Sequence, residues 1–163
     1  METCRRIEGL VNYIAGKYVH AVEIGIGHFP DMAFALLDIG VQVFATDIRP
    51  FKYIGLKVIT DDITAPDISV YTDIDILYSL RPPPELIPYM VRLARTLSSD
   101  LIVKPLASEY PDGQLINHKN TTFFLWKYLE TFMLEKSAQK IMKVSNPPPS
   151  PFRKGGAKEE ITL

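Results

Sequence analysis

Five short runs of the sequence are apolar on both of their alternating faces: "VHAVEIG" (19–25), "VQVFATDI" (41–48), "LKVITDDI" (56–63), "DIDILYSL" (73–80) and "DLIVKPL" (100–106). Strands of this kind cannot lie on a sheet with one wet face. They fit a parallel sheet covered by helices on both sides. The segments between them agree. "PDMAFALLDIG" (30–40) has helical spacing, with Pro30 near its first turn and Gly40 at its stop. "PPELIPYMVRLARTLSS" (83–99) repeats the pattern, with its prolines gathered at the start and Pro88 still within the first turn. "RRIEGLVNYIAGKY" (5–18) places Ile7, Leu10, Val11 and Ile14 on one stripe, with Thr3 available as a cap. "RPFKYIG" (49–55) is too short for a crossover helix and reads as a loop or a single turn.

After the fifth run the pattern changes. "GQLINHK" (113–119) and "TFFLWKYL" (122–129) flank Asn120 with no room for a helix between them. They read as an antiparallel hairpin. "LETFMLEKSAQKIMKV" (129–144) has the members of a helical extension. The remainder, 145–163, is rich in Pro, Gly and charge and is expected to be a disordered tail. The expected fold is therefore α/β, a Rossmann-like three-layer sandwich whose mostly parallel sheet ends in an antiparallel hairpin. It occupies residues 1–128, followed by the extension and the tail.

Composition excludes several function classes. A length of 163 residues with 47% hydrophobic and 23% charged side chains suits one soluble domain with a sizeable core. The net charge of -1 gives no strong nucleic-acid signal. The single cysteine, Cys4, excludes an internal disulfide and suits a reducing cytosol. No apolar run reaches the ~20 residues of a membrane span, so no membrane partner is expected and the location is read as cytoplasmic. His20 and His118 lack partners at metal-ligand spacing, so no metal site is expected.

The chemistry-bearing stretch is "VEIGIGHFPD" (22–31). Glycines between a strand and a helix let a ligand approach the backbone, where unpaired N–H groups favour negative or polar groups. A dinucleotide fingerprint would place a third glycine at Pro30. Asp47, about 20 residues beyond the glycines, suits a carboxylate that accepts from both ribose hydroxyls. That feature supports a nucleoside without choosing between NAD and a methyl donor. The competing explanation is that aspartates at strand ends only cap turns.

"VEIGIGHFPD", "ATDIRP" and "LYSLRPPPEL" together resemble the class I S-adenosylmethionine-dependent methyltransferases, over roughly residues 1–128. More closely, they are similar to a small archaeal family of methyltransferase-like proteins of unassigned function. The resemblance implies a seven-stranded sheet with its last strand antiparallel, and S-adenosylmethionine as cofactor. It implies that Gly25 and Gly27 form the cofactor loop, with Glu23 near the cationic methionyl end and Asp47 on the ribose. It implies Asp62 on the adenine amino group, with Asp61 the neighbouring candidate.

Two positions depart from the family. Phe29 stands where its third glycine is usual. Leu80-Arg81-Pro82-Pro83-Pro84 replaces the Asn/Asp-Pro-Pro-aromatic sequence of amine-methylating members. Arg81 is neither acceptor nor base at neutral pH, so amine methylation of that type is unsupported. A carboxylate or phosphate on substrate or cofactor would suit it, as would a local ion pair. His28, Ser79, Arg81 and Lys104 are the substrate-side candidates. The leading function is that of an S-adenosylmethionine-binding protein, a methyltransferase of unknown substrate. The alternative is a non-catalytic nucleoside-binding regulatory module, and the third reading is an NAD-binding protein.

Overall fold

The computed structural model describes residues 2–106, 111–129 and 138–141. The chain forms two units, Met1–Thr131 and Phe132–Leu163. In the second, residues 138–141 are helical. Most of the extension expected over 129–144, and all of the tail over 145–163, lie outside the described residues.

The first unit begins with α1 (Glu2–Ala15), β1 (His20–Ile24), α2 (Asp31–Asp38) and β2 (Gln42–Asp47). It continues with β3 (Val58–Thr60), β4 (Ile76–Leu80), α3 (Ile87–Leu97) and β5 (Asp100–Lys104), and closes with β6 (Gln114–His118) and β7 (Thr121–Trp126). One seven-stranded sheet results, in the order β3-β2-β1-β4-β5-β7-β6. The five strands β1 to β5 pair in parallel, and β7 pairs antiparallel with both β5 and β6. The fold is Rossmann-like, mostly parallel with an antiparallel C-terminal hairpin.

The two-sided apolar strands explain the layers. Ala21, Ile76, Tyr78 and Ile102 face a core shared with Ile7, Leu10 and Ile14 of α1 and Met32 and Leu36 of α2. Their neighbours Val22, Leu77, Leu101 and Val103 face the opposite core, with Met90, Leu93 and Ala94 of α3. The alternation has period two, as a pleated strand requires. Met90 and Leu93 are almost fully buried, and truncating either to alanine would cost about 2–5 kcal/mol.

The hairpin turns on Lys119 and Asn120, both with positive φ (49° and 63°). Two central residues of that kind match the twist of the flanking strands. Against it lies Gly9 of α1, where a Cβ would run into the carbonyl of His118 and the side chain of Thr121.

Some local expectations shift. Helix α1 already begins at Glu2, so Thr3 falls inside its first turn. Between β2 and β3 the chain makes only a turn, as expected for 49–55, closed by an antiparallel bridge between Tyr53 and Leu56. Between β3 and β4 there is no α-helix, only the 3-10 turn Ile68–Val70, which the Asp67 side chain caps at Ser69 N–H. Strand β3 stops at Thr60. The Asp62 carboxylate accepts from both the backbone and the hydroxyl of Thr64, and such local bonds compete with the strand ladder.

Candidate functional site

Strand order reverses between β1 and β4, and the crevice beyond the carboxyl ends of strands at such a point is where open α/β sheets bind ligands. The loop leaving β1 sits there. Gly25 and Gly27 have φ of 75° and 53°, a left-handed conformation that costs other residues roughly 1–2 kcal/mol. The N–H groups of Gly25 and Ile26 both donate to the Thr46 carbonyl, at 2.8 and 3.2 Å. Gly27 N–H donates to Oδ2 of Asp47 at 2.9 Å, and Arg49 N–H donates to Oδ1 at 2.9 Å. The Tyr53 hydroxyl donates to the Gly27 carbonyl. Loop and strand end are thus fixed against each other. A Cβ on either glycine would meet no atom within 4 Å. These glycines serve backbone conformation, not internal packing.

Two cavities meet at this loop, sharing Gly25, Leu80 and Arg81 in their walls. The first, of about 250 Å³, spans the ends of β1, β2 and β4 and is lined by Gly25, Thr46, Asp47, Ile48, Asp61, Ser79 and Pro82, among others. Asp61 follows β3 directly. Its Oδ2 accepts from the Tyr71 hydroxyl at 2.6 Å and its Oδ1 from Asp67 N–H at 3.1 Å. Burial, then this bond to Asp61, pushes the Tyr71 phenol well above its usual range, so it remains a donor.

The second cavity, of about 160 Å³, lies over β1, β4 and β5. Its apolar wall is Ile7, Ile26, Phe29 and Leu80, and its polar groups are Arg6, Glu23, Arg81 and Lys104. Glu23 is only 1% exposed and takes a 2.7 Å hydrogen bond from Tyr78 on the facing strand. Burial outweighs that bond and raises its pKa to about 8. The side chain is therefore mostly neutral at pH 7. Lys104 shows the opposite pressure: burial, then the nearby charges of Arg81 and Arg6, hold its ammonium below the usual lysine range. Its Nζ donates to the Thr122 carbonyl at 3.1 Å.

The structure brings together Glu23, Gly25, Asp47, Ser79, Arg81 and Lys104 around the two cavities, with Gly27 bonded to Asp47 behind them. Ser79 lines the first cavity, although its hydroxyl is spent on the Ile24 carbonyl at 2.8 Å. Asp62 and His28 line neither. Asp62 is held in its own turn, and hydrogen bonds from Thr64 lower its pKa. The exposed His28 ring packs edge-on to Phe51, with centroids 4.8 Å apart. Sequence reasoning missed Arg6, which lies one position before the apolar stripe of α1. Only the packing of α1 over the sheet brings it to the cavity. Phe29, the departure from the family's glycine, is part of the cavity wall.

A seven-stranded sheet in this order, with a glycine loop after β1 and an aspartate ending β2, defines a Rossmann-like α/β domain. Within that class, the chain belongs to the Uncharacterised protein family (UPF0146), whose sequence profile matches residues 7–128. A UPF0146 protein of Archaeoglobus fulgidus is 37% identical over 118 residues, which cover 71% of this chain and 91% of the relative. Another, from Methanocaldococcus jannaschii, is 37% identical over 109 residues, covering 63% and 80%.

Solved structures with a similar course of chain include the sugar N-methyltransferase KedS8 of Streptoalloteichus sp ATCC 53650. It is 14% identical with a TM-score of 0.45, covering 71% of this chain and 51% of that one. Burkholderia thailandensis 1,6-didemethyltoxoflavin-N1-methyltransferase, solved with S-adenosylhomocysteine, is 14% identical with a TM-score of 0.45, covering 77% and 61%. This chain spans about half to three fifths of their lengths, and likeness at this level adds nothing to what the strand order already shows. No helix among the described residues is long and apolar enough to cross a membrane.

Proposed function

We propose that the chain binds S-adenosylmethionine and acts as a methyltransferase on a small substrate. The observation that carries this reading is the joint presence of Gly25, Asp47 and Asp61 in one cavity across the switch point. Gly25 would leave room for the nucleoside to approach the backbone. Each Asp47 oxygen accepts one backbone N–H, which leaves lone pairs for the two ribose hydroxyls. Asp61 takes the adenine amino group in this reading, in place of Asp62. Glu23 would lie towards the methionyl end, where a bound cation would favour loss of its proton.

The cofactor supplies an electrophilic methyl group on a sulfonium, so the protein's part is to bind, orient and desolvate. Pro30 at the third glycine position counts against a pyrophosphate. NAD is accordingly disfavoured.

A second reading, a nucleoside-binding module without catalysis, is favoured by one specific observation. The hydroxyls of Ser79 and Tyr78 are both spent inside the protein, and Arg81 stands where an acceptor would assist amine methylation. Mass spectrometry of small molecules released from the denatured, freshly purified protein tests the first reading. S-adenosylmethionine or S-adenosylhomocysteine is expected, and NAD in their place would refute it.

A further inference from the structure

The connection between β3 and β4 has no α-helix, and its 3-10 turn delivers two donors to one carboxylate. Ahead of the turn, the backbone N–H of Asp67 donates to Oδ1 of Asp61 at 3.1 Å. Behind it, the Tyr71 hydroxyl donates to Oδ2 at 2.6 Å. The turn is itself held at both ends. The Asp67 side chain accepts from the N–H and hydroxyl of Ser69, and the Tyr71 N–H donates to the Ile68 carbonyl. Asp61 is thus gripped on both oxygens by groups that are fixed in turn.

Tyr71 is 3% exposed and packs in the core on the α3 side, its ring centroid 6.2 Å from that of Phe44. The buried Thr46 side chain hydrogen-bonds the same phenol. Tyr71 is absent from the walls of both cavities, whereas Asp61 lines the first. The phenol therefore orients a cavity carboxylate without lining the cavity. An ionised carboxylate has about four lone-pair sites and no proton to give. Two of its sites are taken by the protein, so Asp61 offers the cavity acceptors and no donor.

We infer that Tyr71 is a positioning residue: through Asp61 it makes the first cavity select a purine with an amino group at C6 over one with an oxo group there. This rests on the reading of that cavity as the nucleoside site. A 6-amino group donates and suits Asp61. A 6-oxo group is an acceptor and would face another acceptor with no proton between them. A site built to hydrogen-bond a ligand rejects an analogue lacking that bond far more strongly than an apolar pocket rejects a change of size. The selection depends on a carboxylate locked by its supporting hydrogen bonds, and Tyr71 supplies the shorter of the two.

The test is calorimetric titration of the full chain with S-adenosylhomocysteine and with S-inosylhomocysteine, its 6-oxo counterpart. Wild type should prefer the adenosyl ligand by about tenfold or more. Tyr71→Phe keeps the ring and removes the donor, and should cut that preference by about threefold or more. Asp61→Asn can turn either an oxygen or an NH2 to the ligand, and should cut it further. Adding Tyr71→Phe to Asp61→Asn should then leave the preference where it is, because Tyr71 acts through Asp61.

Equal affinity of wild type for the two ligands would overturn the inference and leave the cofactor reading intact. So would a Tyr71→Phe variant that binds both ligands more weakly by one common factor, or that fails to fold, since either outcome makes the phenol merely structural. Binding of neither ligand by wild type would sink the cofactor reading, and the inference with it.

Discussion

The phenol of Tyr78 donates a 2.7 Å hydrogen bond to Oε2 of Glu23, and both side chains are buried. The two residues are direct partners in the β1–β4 pairing, so the bond bridges the strands on either side of the switch point. It joins the site's buried acid to its scaffold. Burial of that acid, which outweighs the bond, makes the fold sensitive to pH.

Glu23 ionises near 4.5 in its ordinary state and near 8 when folded. A raised carboxyl pKa means that stability from this group is fully present below pH ~4.5. It declines through the interval up to about 8, because the unfolded chain ionises first. The slope approaches at most about 1.4 kcal/mol per pH unit. Glu23→Gln keeps an oxygen for Tyr78 and removes the titration. Urea unfolding from pH 5 to 8 should show wild type losing stability while the variant stays nearly level. Parallel curves would contradict the assignment.

Gly9 predicts a sign reversal. In an ordinary helix interior, glycine to alanine stabilises by about 1 kcal/mol. Here the added methyl meets the His118 carbonyl and Thr121. Gly9→Ala should instead destabilise by about 1–3 kcal/mol, as overpacking does. Chemical denaturation decides it, and a stabilised variant would show that α1 does not lie this close to the hairpin.

The adjacent aspartates separate by role. Asp61 lines the first cavity and Asp62 does not. Asp61→Asn should weaken adenosine-ligand binding by about tenfold, within the range for hydrogen bonds to a charged acceptor. Asp62→Asn should leave it unchanged within error. Titration of both variants with S-adenosylhomocysteine checks this, and the reverse ranking would restore Asp62 to the site.

Much of this was legible in the sequence for a physical reason. Strands buried on both faces leave continuous apolar runs, so β1, β2, β4 and β5 announced themselves, and the lack of helix-forming length around Asn120 announced the hairpin. Strand β3 was harder. It is three residues long, and its end is set by the Asx-type turn of Asp62 with Thr64, which shifts the cavity-lining acid by one position. The Glu23–Tyr78 bond depends on the register between strands 55 residues apart in sequence, which no local pattern encodes. Arg6 reaches its cavity only through the packing of α1. Its position beside an apolar stripe reads as an ordinary solvated face.

The central claim is that the cavity at the β1–β4 switch point takes an adenosine-containing methyl donor through Asp47. Calorimetric titration of wild type and Asp47→Asn with S-adenosylhomocysteine, and of wild type with NAD, tests it most directly. Wild type should bind S-adenosylhomocysteine and not NAD. Asp47→Asn, shown to be folded by its circular dichroism, should bind about tenfold to a hundredfold more weakly, the equivalent of 1.5–3 kcal/mol. Binding of NAD alone, or equal S-adenosylhomocysteine affinity in the two proteins, would contradict the account.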